Sequence, residues 1–260
     1  MLLKDRVVII TGVGPGMGRK LALLCAQEGA KVAASARSVD FLRDVVGEIE
    51  AAGGQAIAVP TDVSQDDQCD HLAAATLEAF GRIDGLVNSA YHPGAFTPFE
   101  DGDIAEWQNV MNVTHFGALR MARAVIPAMK RQGAGAIVNV STRSSIYVVP
   151  GHGDYGTAKA AMNAATRQLA GELGKYGIRV NATRMGWMWG KPVEGALEQR
   201  AKARGVTPEA VKAEVVARIP IGRIPTDEEC ARAVVFLLSD YSSAITGVAL
   251  DVNGGEVMPL

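Results

Sequence analysis

Four consecutive β-branched residues, Val7 to Ile10, run directly into Thr11-Gly12-Val13-Gly14-Pro15-Gly16-Met17-Gly18 and then into a segment of helical periodicity. A strand with no polar face has to lie in a sheet that is covered on both sides. Gly12, Gly14, Gly16 and Gly18 let the backbone turn tightly and let another molecule approach it with no side chain between. The helix that follows, which begins at Gly16 and takes in Met17, presents unpaired N–H groups and the positive end of its dipole to that loop, a setting suited to a pyrophosphate. Strand, glycine loop and helix in this order point to a dinucleotide-binding unit.

The rest of the chain repeats that rhythm. Strands are expected at Val7 to Ile10, Lys31 to Ala36, Ala56 to Val59, Gly85 to Asn88, Ala136 to Val140, Arg179 to Thr183 and Val248 to Val252. Helices are expected at Gly16 to Glu28, Phe41 to Ala52, Asp66 to Phe80, Ile104 to Arg131, Tyr155 to Tyr176 and Asp227 to Leu238. Alternating β and α segments give an α/β fold, here a doubly wound, Rossmann-type, mostly parallel sheet of seven strands with helices on both faces. Ligands of such sheets sit beyond the carboxyl ends of the strands. No linker or repeat interrupts residues 1–260, which read as one dinucleotide-binding and catalytic domain. Residues 190–221 are charged, helix-prone and out of rhythm, as a lid over a substrate would be.

Composition narrows the partners. A formal charge of -2, with no long run of one sign, argues against nucleic acid or an anionic membrane as partner. The opening apolar stretch is too short for a signal peptide core or a membrane span, so the protein is expected in the cytoplasm. Cys25, Cys69 and Cys230 are odd in number and widely spaced, and no His, Cys and carboxylate cluster has ligand spacing. Neither a disulfide framework nor a metal site is expected.

Two positions speak to the cofactor and two to the reaction. The second strand ends at Ala36-Arg37. A carboxylate there would hold the ribose hydroxyls of NAD, whereas a guanidinium can grip the extra phosphate of NADP. Arg37 therefore favours NADP, with NAD as the alternative. Asp62-Val63 follows the third strand and Asn88-Ser89-Ala90 the fourth. Tyr155 and Lys159, four apart at a helix start, share one face. A phenol is a weak base at neutral pH, and lowering its pKa by two to three units needs roughly 3 to 4 kcal/mol of favourable field. A nearby ammonium supplies a field of that sign. Tyr155 can then exchange a proton with an alcohol or carbonyl while hydride passes to or from a nicotinamide.

Taken together, these residues resemble the short-chain dehydrogenase/reductase family in its single-domain, classical form. The resemblance runs from Thr11 to Asp251-Val252-Asn253-Gly254-Gly255 and includes Gly12, Gly16, Gly18, Asp62, Asn88, Asn112, Tyr155, Lys159, Arg179-Val180-Asn181 and Ile219-Pro220-Ile221-Gly222-Arg223. It implies hydride transfer between NAD(P) and a secondary alcohol or ketone, and a homotetramer or homodimer. It also implies that Asn112 bends or hydrates its helix to complete a proton relay and that Lys159 holds the nicotinamide ribose. A hydroxyl thirteen residues before the tyrosine is implied to polarise the carbonyl.

The chain departs from the family at three places. The thirteen-before position is Thr142 where serine is usual, with Ser141 and Ser144 as rival donors. Tyr91 stands where a glycine normally closes the motif after the fourth strand. After the sixth strand the chain reads Met185-Gly186-Trp187-Met188-Trp189-Gly190, which passes the nicotinamide contact to the backbone near Gly186 and Met188. Tyr91, Arg143, Tyr147, His152, Trp187 and Trp189 are expected to line a pocket for a bulky or ring-bearing small molecule, with Arg143 available to a carboxylate. The alternative is a catalytically degenerate relative that binds a dinucleotide or a partner without turnover.

Overall fold

The computed structural model describes residues 1–259. Its seven strands are β1 (Val7–Thr11), β2 (Lys31–Ser35), β3 (Gln55–Ala58), β4 (Gly85–Asn88), β5 (Gly135–Thr142), β6 (Ile178–Met185) and β7 (Ala249–Val252). They form one sheet in the order β3-β2-β1-β4-β5-β6-β7, every pair parallel. β1 is buried along its whole length. Val8 and Ile10 point into one apolar layer and Ile9 into the other, as the two-residue period of a strand requires.

The first layer packs α1 (Met17–Gln27), α2 (Val39–Ala51) and α9 (Asp227–Leu238) on the sheet through Leu21, Leu42, Ile49, Val234 and their neighbours. The second uses α3 (Asp66–Phe80), α5 (Gly117–Gln132) and α6 (Gly153–Leu173) through Leu72, Met121, Val125 and Leu173. Residues expected as a lid form α7 (Lys191–Arg204) and α8 (Pro208–Val216), which share a small core of Leu197, Ala201, Val211, Val215, Ile219 and Ile224.

The helix expected from Ile104 to Arg131 is two. α4 (Ile104–Met111) passes into a wide turn at Asn112–Phe116, in which the Gly117 N–H donates to the Asn112 carbonyl five residues back, and α5 resumes beyond it. Such a widened turn keeps the helical direction, so apolar periodicity does not reveal it. It sets Gly117 against the loop after β3, where a β-carbon would come within 2.7 Å of Val63 Cγ2.

The parallel register aligns the carboxyl ends of the central strands. Thr11 lies beside Asn88, Asn88 beside Asn139, and Thr142 beside Met185. From β1 the sheet grows outward to β2 and from β4 outward to β5, so a crevice opens between these two strand ends.

Candidate active site

Two cavities meet at the glycine loop. One, of about 340 Å³, is lined by Gly12, Gly14, Gly16, Met17, Gly18, Thr142, Tyr155, Lys159, Gly186 and Met188 among others. The other, of about 590 Å³, runs from the same loop past Arg37, Asp62, Val63 and Ala90. Gly12, Gly14, Pro15, Ser89 and Tyr91 line both, so one continuous cleft leads from the end of β2 to Tyr155.

The glycines divide by role. Gly12 has φ +73°, and a β-carbon on it would lie 2.5 Å from Ala90 N. On Gly18 a β-carbon would lie 2.3 Å from the Gly12 carbonyl. Both are needed for the loop to pack on its own fold. Gly14 has nothing nearer than 4.0 Å, and its open side leaves room for a ligand. The first turn of α1 has no side-chain cap and no acidic residue, and while the Arg19 N–H donates to the Gly14 carbonyl, those of Met17 and Gly18 are left for an anion. Bare backbone, free amides and a cleft of this length fit a dinucleotide.

At the far end, Arg37 is exposed beside Asp62. Burial pushes the Asp62 carboxyl upward, but hydrogen bonds from Ser64 and the charges of Arg37 and Arg120 outweigh it and hold the group below its ordinary value. Asn88 is buried and acts inside the fold, donating to the Ala118 carbonyl and to Asn139 Oδ1. It lines neither cavity, so its part in any cofactor site is support from behind.

At the reacting end Thr142, Tyr155 and Lys159 share one cavity. Thr142 is the last residue of β5, and its Oγ1 accepts from the Ser144 N–H at 3.3 Å. Ser144 does not line the cleft. Ser141 does, but its hydroxyl turns back to the Lys159 carbonyl at 3.5 Å. Lys159 is 2% exposed and donates from Nζ to the Val140 carbonyl at 2.5 Å. The favourable field expected at Tyr155 is absent from the chain alone. Burial, with Tyr91 adding to it, pushes the phenol well above its ordinary value. Burial also brings the lysine down to about 7, and its Nζ stands 5.8 Å from the tyrosine ring centre.

Asn112 opens the wide turn but faces elsewhere. Its Oδ1 and its carbonyl both accept from Arg120, at 2.9 and 3.2 Å, and Arg120 is held in turn by Asp66. The wide turn begins at this residue, whose polar groups are taken by a guanidinium.

The expected substrate pocket needs three corrections. Arg143 is not free for a ligand carboxylate, because Glu256 stands 3.0 Å from its Nε. Trp187 and Trp189 pack against the lid core and carry its cations, Arg200 lying 5.0 Å over Trp187 and Lys212 3.6 Å over Trp189. Tyr147 is exposed and lies over the Arg143 guanidinium. Tyr91 and His152 do flank the tyrosine, with ring centres 5.7 and 4.8 Å from that of Tyr155. Phe96 stacks on His152 at 4.3 Å. The sequence reading missed Phe96, Asp227, Pro192 and Glu256, which lie just outside the quoted motifs and carry no local pattern of their own.

Residues 12–256 match the family described as Enoyl-(Acyl carrier protein) reductase. The 3-oxoacyl-[acyl-carrier-protein] reductase FabG of Thermotoga maritima is 34% identical over 260 residues, covering 99% of this chain and all of that one. The 1,6-dihydroxycyclohexa-2,4-diene-1-carboxylate dehydrogenase of Acinetobacter baylyi is 35% identical, covering 97% of both. The crystal structure of an NAD+-bound xylitol dehydrogenase superposes with a TM-score of 0.91 at 31% identity, over 98% of this chain and all of the other.

Proposed function

Because the chain belongs to the short-chain dehydrogenase/reductase family of NAD(P)-dependent oxidoreductases, we propose that it interconverts a cyclic secondary alcohol and the corresponding ketone, with Thr142, Tyr155 and Lys159 as its catalytic residues. The observation that carries this reading is the meeting of those three side chains in a cleft continuous with the glycine loop. When bound, the nicotinamide cofactor supplies the hydride donor or acceptor. Gly14 and the first turn of α1 would hold its phosphates, Gly186 and Met188 would contact its reacting ring, and Lys159 would hold its ribose. Tyr155 gives or takes the proton at the substrate oxygen, and Thr142 donates a hydrogen bond to that oxygen. A ring-bearing substrate is supported by the Tyr91, Phe96, His152 and Tyr155 rings and by the cyclohexadiene named in the A. baylyi relative.

NADP(H) is the proposed cofactor. Arg37 is exposed and lines the cleft where the second strand ends, and Ala36 offers no carboxylate there to repel a phosphate. Arg37→Ala should weaken NADPH binding at least tenfold more than NADH binding. Equal losses, or tighter NADH binding by the unaltered protein, would reverse the assignment.

A homo-oligomer working in the cytoplasm completes the proposal. Exposed Ile104 and Phe116 on the outer side of α4 and the wide turn suit subunit contact, and three buried unpaired cysteines suit a reducing compartment. No helix among the described residues is long and apolar enough to cross a membrane.

The deciding experiment is a panel of cyclic and open-chain alcohols and ketones, followed by absorbance of the reduced nicotinamide with each cofactor. Turnover of cyclic members is expected, lost in Tyr155→Phe while that variant still binds cofactor. Substantial turnover by Tyr155→Phe would sink the catalytic assignment, and a preference for open-chain substrates would sink the ring.

A further inference from the structure

Beyond β7 the backbone turns through Gly254 and Gly255, both at positive φ, and brings Glu256 behind the site, against Arg143 and the Gly186 backbone. Its side chain is 4% exposed and stands 3.0 Å from Nε of Arg143, itself 11% exposed. The Gly186 backbone passes so close that a β-carbon there would meet Asn253 Cβ at 2.7 Å and Glu256 Oε2 at 3.3 Å. The Trp187 indole N–H approaches the same carboxyl without reaching hydrogen-bond geometry. Three segments that frame the cleft thus converge on one carboxylate: the turn after β5, the loop after β6 and the tail after β7.

As a stabilising device the pair is poor. Taking both charges out of water costs several kcal/mol per ion, and apolar residues of similar volume often do as well or better. Here Glu256 Oε2 meets the charge of Arg143 but no aligned hydrogen. What the contact does provide is fixed geometry. Arg143 follows Thr142 directly and opens the short turn Arg143–Ser145. That turn holds Thr142 from both sides, through the Ser144 N–H on its hydroxyl and the Ser145 hydroxyl on its carbonyl at 2.6 Å.

We propose that Glu256 is a positioning residue for hydride transfer, its carboxylate gripping Arg143 so that the turn after β5 and the backbone at Gly186 hold their places on either side of the reacting atoms. The proposal rests on Thr142 being the polarising hydroxyl. The other groups facing the pair are Arg218 just beyond α8, Arg200 on α7 and the Tyr147 phenol. Burial outweighs the pull of Arg143, Arg218 and the Trp187 indole and holds the Glu256 carboxyl above its ordinary value. Acidification therefore neutralises it at a higher pH than an ordinary carboxylate, and the grip on Arg143 goes with the charge.

Glu256→Gln keeps the shape and removes the charge, so the test compares it with the unaltered enzyme across pH. Near neutrality its kcat should fall about tenfold or more, with cofactor binding within about twofold. On the acid side the two activity profiles should converge, because protonation turns the native side chain into the equivalent of the variant. Tryptophan emission of the cofactor-free protein should show an acid transition that Glu256→Gln lacks. Full kcat at neutral pH, or a loss of equal size at every pH with the emission transition retained, would overturn the proposal. If the single variant does not fold, Arg143→Gln with Glu256→Gln removes both charges together. Low kcat in that double variant supports the role and normal kcat overturns it. Thr142→Val separates the two layers of argument: normal kcat there overturns the underlying reading, whereas a crippled Thr142→Val beside a normal Glu256→Gln overturns only the positioning role.

Discussion

Lys159 shows at the scale of one residue what the site costs. It is buried, the one hydrogen bond of its ammonium goes to the Val140 carbonyl, and burial brings it down to about 7 from 10.5. Below about pH 7 the side chain is charged in the folded and unfolded chain alike, so folding has to bury the charge. Above about 10.5 it is neutral in both and that penalty is gone. Between these limits the unfolded chain binds more protons, and the stability contributed at this position rises with pH. Lys159→Met should therefore abolish turnover yet unfold at a higher temperature than the native protein near pH 6, by roughly 1 to 3 kcal/mol after loss of the Val140 contact. The advantage should fade toward pH 10, and a variant less stable at pH 6 than at pH 10, relative to the native chain, would contradict it. Thr142 is argued on the same scale. Thr142→Ser should keep activity, and Thr142→Val should lose roughly 2 to 4 kcal/mol of transition-state stabilisation, as removal of one oxyanion donor does. Near-normal turnover in Thr142→Val with a crippled Ser144→Ala would move the role to Ser144. Tyr155 and Lys159 were legible in the sequence because their spacing is a local, helical fact. Glu256 was not, since only the folding of three distant segments brings it to Arg143.

Among the elements, the glycine loop separates what serves folding from what serves binding. Gly18→Ala would drive a β-carbon into the Gly12 carbonyl and should cost several kcal/mol, read as a drop in Tm. Gly14→Ala meets only open space and has no positive φ, so its Tm should stay within about 2 °C while dinucleotide affinity falls at least tenfold. A Gly14→Ala protein that binds cofactor normally would remove that residue from the site. The strands were readable as short apolar runs between helical segments and matched the observed sheet to within two positions at every end. The division of Ile104 to Arg131 was not readable, because the buried positions Val110, Thr114, Gly117, Ala118, Met121 and Ala122 keep spacings of three and four straight across the wide turn. The Arg120 grip on Asn112, eight residues away across that turn, was hidden for the same reason.

The whole molecule is a rigid two-sided sheet carrying a third, separate core in its α7–α8 roof. That core depends on Trp189, over which Lys212 lies, and on a bridge from Trp189 to Thr226 at the start of α9. Trp189→Ala should raise hydrogen exchange across residues 191–216 and leave the protection of β1, β4 and β5 unchanged. Loss of protection throughout would mean that roof and sheet unfold as one unit. The tryptophans read from sequence as pocket walls because a strand end delivered them near the site. Their neighbours on α7 and α8 decided otherwise. The roof also reaches the floor of the cleft: a β-carbon on Gly16 would stand 3.3 Å from Pro192 Cγ at the head of α7. Glycine loop and α7 therefore face each other across the mouth of the cleft that Gly16, Pro192 and Val193 line, and a long guest seated there would be gripped from above as well as below. Loosening that upper jaw should shorten its stay: Pro192→Gly should release bound NADPH several-fold faster, read by displacement with excess cofactor, and an unchanged release rate would show that the roof carries none of the hold.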